Sequence, residues 1–442
     1  MDDSCKIARP SGRYLELKLG SVALACAVIA ALAMPAFARH AHAHARAAGG
    51  GEESGSSAAP PPIVPLDQIH TFGNRPAPFA LNAHAAELVA LPSGTVLYAY
   101  HEHQRMQPAS LAKMMTFYLT LDALREKRIA LDTQMPVSEA AWRLSLNDSV
   151  SRMFLQVGQK VSVHNLLYGL MVSSGNDAAV VLAEYQAGST DAFADLMNKK
   201  AQELGLNETH FTNPDGLPTD NEYTTAADMV KLGTAIIETF PDARQYTGAK
   251  DFTFNTTGSN GRTVTITQRN FNTLLFYDSR VNGIKTGHVT EAGYHLVASA
   301  SSSGVDLVSA VMGTPSMEKR RVETDKLLDW AFRSFATVSP DWHHAIPARL
   351  RVYQGAIDEV PIAPAGGRAS FVVNKGQEGK VVLVAFVAQK PLVAPMPQGT
   401  TVGQLTVTLA GQPISSVPIV TQEPVARGGI VHNMVDALRM KL

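Results

Sequence analysis

Cysteine is nearly missing from this chain. Only Cys5 and Cys26 occur in 442 residues, and both lie in the N-terminal segment. If that segment is removed, no thiol remains, which excludes cysteine catalysis and disulfide staples. Charge is scarce too: charged residues make up 17%, and the formal net charge is −1. That balance excludes the basic patch of a nucleic-acid binder. What is plentiful is core material, with 45% hydrophobic residues in a length that suggests two or three domains.

The N-terminus has the layout of an export signal. Lys6, Arg9, Arg13 and Lys18 precede an apolar run from Leu19 to Met34, and Ala36-Phe37-Ala38 offers a cleavage site. A signal peptide over 1–38 is expected. The run approaches membrane-spanning length, so an uncleaved anchor is the competing reading. Lipidation at Cys26 is disfavoured because Ala23 stands where a lipobox has Leu. Residues 39–65 are rich in Ala, Gly, Ser, His and Pro and read as a linker. Its His40, His42 and His44 fit a soluble tether better than a metal tract.

A first globular unit is expected over 66–340. Glu87 to Ala90 and Thr95 to Tyr98 form a hairpin about Pro92-Ser93-Gly94. Ser110 opens a helical pattern through Leu124. Asn165 to Ala187 is helical with a break at Ser173-Ser174-Gly175, and Ala192 to Leu204 is a helix closed by Gly205. Val281 to Lys285 is a strand. Gly293 to Ala300 pairs with Val305 to Gly313, and Met317 to Phe335 is a helix. Strands at both ends with helices between give one sheet with helices packed on it. From 345 to 426 short Val- and Ile-rich runs recur between Gly and Pro, the pattern of a small all-β domain, read as a sandwich. His343-His344 at the junction reads as a polar linker.

Three motifs stand in order: Ser110-Leu111-Ala112-Lys113, Ser174-Gly175-Asn176 and Lys285-Thr286-Gly287. Order and context single them out from two repeats. Ser316-Met317-Glu318-Lys319 comes too late and reads as a helix N-cap. Ser145-Leu146-Asn147 sits in a polar stretch that reads as a surface loop. Together the motifs are the serine acyl-transferase signature of penicillin-binding proteins and class A β-lactamases. Ser110 and Lys113 share one helix face a turn apart, so the amine can reach the hydroxyl. A serine hydroxyl needs such a base, and Lys113 can serve only if it is neutral.

The surroundings resemble the D-alanyl-D-alanine carboxypeptidases, the low-molecular-mass penicillin-binding proteins. Pro108 to Thr116, Ser174 to Ala179, Lys285 to His288 and the stretch from Phe193 to Leu217 carry the likeness. Ala112 stands where that family usually has Thr, and Leu91 to Gly94 lacks its Asp. The resemblance implies an α/β (α+β) transpeptidase-like fold, an antiparallel sheet with packed helices. It implies Ser110 as nucleophile, Lys113 as base, Ser174 as proton relay and Asn176 as orienter of substrate and lysine. Lys285 and Thr286 would hold the substrate carboxylate, Gly287 would leave the strand edge bare, and the backbone N–H groups of Ser110 and His288 would form the oxyanion hole. Lys285 close to Lys113 would help to keep that base neutral. Arg320 and Arg321 read first as helix-surface charge and second as carboxylate binders.

The expected activity is release of terminal D-alanine from peptidoglycan stem peptides ending in D-Ala-D-Ala, with β-lactams as acylating inhibitors, no metal or organic cofactor, and a periplasmic location. A D,D-endopeptidase on cross-links, a class A-like β-lactamase and a non-enzymatic wall binder are the alternatives. The β-lactamase string Glu203-Leu204-Gly205-Leu206-Asn207 reads as a decoy across a helix end. Residues 427–442 read as an amphipathic helix on the outer face of the inner membrane, with Ile430, Val431, Met434, Val435, Leu438 and Leu442 on one arc. His432, Asn433, Asp436 and Arg439 fall on the other. A helix docked on the β domain is the alternative.

Overall fold

A computed structural model describes residues 66–73, 78–257, 261–367, 369–388, 391–430, 433, 434 and 436. The expected signal peptide and linker lie outside these residues. A central sheet has the strand order His70–Thr71, Thr95–Tyr100, Ala85–Leu91, Val305–Thr314, Gly293–Ser302, Val281–Val289. Every neighbouring pair is antiparallel. Early and late strands therefore meet in mid-sheet, with Leu88 opposite Ser309.

Both faces of the sheet are covered, and the strands show it. All seven residues of Ala85–Leu91 are buried. Ala85, Val89 and Leu91 point into one core; Ala86, Leu88 and Ala90 point into the other, as the two-residue period of a strand requires. The first core is filled by helices Lys113–Arg125, Asn176–Ala187 and Ala226–Thr239. The second is filled by Leu327, Leu328, Ala331 and Phe332 of helix Met317–Ser334. Local signals set the ends of these helices. Ser316 caps the last one by accepting the Lys319 N–H at 3.1 Å, as its sequence context indicates. Gly205, at φ 70°, follows helix Thr190–Glu203 in a left-handed turn that a side chain would strain.

The expected helical region before Ala187 divides into Val163–Met171 and Asn176–Ala187, with the break at Ser173 to Gly175. The expectation for Ser145 fails. Ser145 is not on a surface loop: it lies in helix Glu139–Leu146, is buried, and donates to Asp177 Oδ2 at 2.6 Å. The polar run begins only after it, and a single buried hydroxyl with a partner is compatible with a core.

The C-terminal part is all-β, with strand order Val381–Ala388, Thr401–Leu409, Gln412–Thr421, Glu359–Pro364, Arg349–Tyr353, Leu392–Val393 around its own core of Val352, Val360, Phe371, Leu405, Val407 and Ile419. Strand Phe371–Asn374 pairs with Phe335–Val338, which directly follows the last catalytic-side helix. His343 lies exposed at this junction and its Nδ1 meets Asp341 at 2.7 Å, consistent with a polar linker.

At the C-terminus residues 430, 433, 434 and 436 are helical. Ile430 is 81% and Met434 71% exposed, whereas Asp436 is fully buried and accepts the Gln354 N–H at 2.7 Å. Asp436 thus faces protein rather than water. The other residues of the expected arcs, Val431, His432, Val435, Leu438, Arg439 and Leu442, lie outside the described residues. Among the described residues no helix is long and apolar enough to cross a membrane.

Candidate active site

Ser110 sits in a tight turn, Ala109–Ala112, that runs straight into helix Lys113–Arg125. Ala109 holds φ 51° there, an uncommon conformation for a residue with a side chain. Two glycines make room for this turn. A Cβ at Gly216, whose φ is 76°, would lie 1.8 Å from the Ala109 carbonyl oxygen. A Cβ at Gly287 would lie 3.0 Å from the Pro108 carbonyl oxygen. The bare strand edge expected at Gly287 is therefore also the seat of the nucleophile's own turn.

Lys113 is fully buried, and its Nζ donates to Ser110 Oγ at 2.9 Å and to the Asp215 carbonyl oxygen. Burial pulls its pKa down to about 8, against the opposing charges of Asp215, Asp177 and Glu222. Lys285 is 2% exposed and its Nζ donates to Ser174 Oγ at 2.9 Å and to the Thr286 carbonyl at 3.0 Å. Burial holds this amine well below the ordinary lysine range, and the cations Lys113 and Arg320 push it further. The two lysines thus each hold one serine.

Ser174 is buried at φ 53°, in the break that precedes helix Asn176–Ala187. Asn176 starts that helix, is 4% exposed, and its Oδ1 has no hydrogen-bond partner among the described residues. A buried amide oxygen without a partner is costly, and a bound substrate amide can satisfy it. Beneath it Asp177 accepts from the Met153 N–H at 2.8 Å, from the Ala178 N–H at 2.9 Å and from Ser145, while the Asn176 N–H donates to the Ser151 carbonyl at 2.9 Å. Thr286 is buried on the strand after Lys285; His288 is exposed, its ring stacked on Tyr294 at 3.9 Å.

Two residues of the site were not legible as such. Arg320 is 3% exposed and donates to the Phe271 carbonyl at 3.1 Å; burial lowers its pKa to about 10. It is not surface charge, whereas Arg321 pairs with the exposed Glu318 at 2.6 Å. Helix periodicity could have marked Arg320, since Glu323, Thr324 and Leu327 of the same helix are also buried. His295 is fully buried; its Nδ1 accepts the Gly313 N–H at 2.9 Å and its Nε2–H donates to the Gln107 carbonyl at 3.2 Å. Burial pushes its pKa to about 3. A neutral ring thereby ties the segment before Ser110 to the sheet. No sequence motif marks it. Glu203, the decoy acid, lies on the surface at a helix end, paired with Lys200 at 2.6 Å.

Comparison with known proteins agrees with this geometry. A family profile described as D-alanyl-D-alanine carboxypeptidase matches residues 72–316, and one described as the C-terminal domain of penicillin-binding protein 5 matches residues 343–427. The chain is 37% identical over 364 residues to the D-alanyl-D-alanine carboxypeptidase DacA of Haemophilus influenzae, covering 82% of this chain and 90% of that protein. It is 37% identical over 366 residues to DacC of Escherichia coli, covering 82% and 89%. The crystal structure of penicillin binding protein 5 from Haemophilus influenzae superposes with a TM-score of 0.67 at 37% identity, over 79% of this chain and 99% of that one. With its three motifs in place on this fold, the chain belongs to the D-alanyl-D-alanine carboxypeptidase family of penicillin-binding proteins.

Proposed function

We propose that the chain is a serine carboxypeptidase that removes the terminal D-alanine from peptidoglycan stem pentapeptides through an acyl-enzyme on Ser110. The observation that carries this reading is the pair of buried lysine–serine bonds, Lys113 to Ser110 and Lys285 to Ser174, each 2.9 Å long. Neutral Lys113 takes the Ser110 proton as Oγ attacks the carbonyl carbon of the penultimate D-alanine. The backbone N–H groups of Ser110 and His288 hold the oxyanion. Ser174 passes a proton to the departing amine, and water then cleaves the ester. These steps call on no metal or organic cofactor.

Lys285 and Thr286 hold the terminal carboxylate. An arriving carboxylate favours the ammonium form, so substrate itself restores the charge that burial suppresses on Lys285. Asn176 offers its unpartnered Oδ1 to a substrate amide N–H. β-Lactams acylate Ser110 by the same route. The retained C-terminal domain favours carboxypeptidase over endopeptidase action, and Gly175 after Ser174 together with the surface position of Glu203 disfavours a class A-like β-lactamase. The test is incubation of the mature chain with a pentapeptide, a cross-linked dimer and a penicillin. Free D-alanine from the pentapeptide supports the reading; cleavage of the dimer alone, or fast penicillin turnover, overturns it.

The domain plan that goes with this reading is a cleaved signal peptide over 1–38, a linker over 39–65, a catalytic domain over 66–340, a β domain over 345–426 and a C-terminal segment over 427–442. The enzyme acts in the periplasm, with Ile430 and Met434 turned outward to rest on the outer face of the inner membrane. Support comes from the exposure of Ile430 and Met434, while the buried Asp436 fits the docked helix. Liposome sedimentation with and without residues 428–442 tests the tether, and equal partitioning rules it out.

A further inference from the structure

Strand Gly293–Ser302 carries a histidine that the steps above leave unused. His295 is fully buried and pairs across the sheet with Gly287 of the third motif. Directly opposed residues of neighbouring strands project from the same face, here toward the nucleophile's turn. A Cβ at Gly287 would lie 3.0 Å from the Pro108 carbonyl oxygen. The His295 ring reaches out from the same face and meets the Gln107 carbonyl oxygen at 3.2 Å. One partner lets the turn come close, and the other takes hold of it.

The backbone fixes which ring nitrogen does what. The Gly313 N–H can only donate, and it lies 2.9 Å from Nδ1. Nδ1 is therefore bare and the proton sits on Nε2, which donates to Gln107. Gly313, at φ 74°, lies where the ladder between its strand and that of His295 shifts register, between Val311 and Thr314. Such an irregularity turns a backbone group out of the ladder, and the ring takes it up. The chain around Gln107 is held on both sides. Met106 exchanges backbone bonds of 2.8 and 2.9 Å with Thr224, and the Leu111 N–H donates to the Pro108 carbonyl at 3.1 Å. Pro108 has φ −69°, as its ring requires. Holding the Gln107 carbonyl therefore orients the chain that enters Ala109 and Ser110.

We propose that His295 is a positioning residue that acts through the Gln107 carbonyl and sets how closely the Ser110 turn is seated on the motif strand. In the reaction proposed above, two backbone N–H groups share the oxyanion, that of Ser110 on the turn and that of His288 on the strand. The seat decides their separation. Its effect therefore falls on the chemical step, where the oxyanion develops, and not on binding of peptide or drug. The proposal rests on the reading of Ser110 as nucleophile and of these two groups as the oxyanion hole.

The experiment is acylation by a fluorescent penicillin over a range of concentrations, beside thermal unfolding, for the mature chain, His295→Asn and His295→Gln. The two variants separate the two bonds. The Asn amide oxygen falls near the place of Nδ1, so it keeps the Gly313 bond but stops short of Gln107. The Gln amide nitrogen falls near the place of Nε2, so it keeps the Gln107 bond and gives up the one to Gly313. In His295→Asn the melting temperature should hold, while the saturated acylation rate falls about tenfold and the half-saturating concentration stays within about twofold. In His295→Gln the melting temperature should drop while the saturated rate stays within about threefold of the unaltered chain. An unaltered rate in His295→Asn overturns the proposal, whether or not His295→Gln folds. So does an equal loss of rate in both variants, since the rate would then follow packing rather than the bond to Gln107. A rise in the half-saturating concentration alone overturns it too. If Ser110→Ala is still labelled, the nucleophile assignment itself fails, whatever His295 does.

Discussion

Two lysines share one buried site, and their neighbours divide the work between them. Burial pulls both amines down, but Lys113 is surrounded by acids, which keep it within reach of protonation, while cations push Lys285 further down. Acylation should therefore rise with pH as Lys113 becomes neutral, with the limb centred near its value of about 8. The sign follows from the chemistry: below that value the ammonium cannot accept the serine proton. A penicillin acylation rate that is flat from neutral to alkaline pH would show that Lys113 is not the base. Ser110→Ala should abolish covalent labelling. Ser316→Ala should leave labelling intact and cost about 1 kcal/mol of stability through the lost cap. Labelling and thermal unfolding measured on the same two variants check both halves of this contrast.

At the scale of elements, the second motif depends on a carboxylate one residue past its end. Asp177 gathers the N–H groups of Met153 and Leu155 and the hydroxyl of Ser145, so the loop beneath Asn176 is tied to the helix behind it. Asp177→Asn should destabilise the fold by about 3 kcal/mol, because hydrogen bonds to a charged group are the strong ones. The urea midpoint is the measurement. This tie was not legible in the sequence. Ser145 stands next to a polar run, and nothing local shows that its partner lies in a helix well down the chain. The motifs were legible for the opposite reason: each is a short local run, and their order along the chain and their flanking residues separate them from the repeats at Ser145 and Ser316. Gly216→Ala places a methyl against the Ala109 carbonyl and should reduce acylation by about a hundredfold or more, as small displacements of a nucleophile do. An acylation rate within a few-fold of the unaltered chain would show that the turn yields.

At the scale of the whole molecule, the β domain does more than follow the catalytic domain. Val372 enters the second core of the central sheet, beside Phe335, and Phe335–Val338 pairs with Phe371–Asn374. Ending the chain at 340 should cost about 2–3 kcal/mol, from exposing one large apolar side chain and unpairing a strand. Equal melting temperatures for the truncated and full chains would refute this. The sequence shows two domains plainly, because helix periodicity gives way to short strands near residue 350. It does not show the shared strand pair, which joins segments on either side of the polar junction. Arg320 was misread for a related reason. In the run Glu318-Lys319-Arg320-Arg321 every residue is charged, and only the helical spacing of Arg320 to Leu327 marks which one turns inward.

The two bare positions around the nucleophile's turn bear on drug escape. A cell that sought to keep a bulky antibiotic out could narrow the mouth of the site by adding a side chain at residue 216 or 287. An addition at 216 strikes the Ala109 carbonyl and moves the turn that carries Ser110 before it obstructs the drug, whereas one at 287 meets the Pro108 carbonyl only at 3.0 Å. Escape by narrowing is closed at residue 216, because the enzyme would forfeit its own reaction together with the inhibitor's.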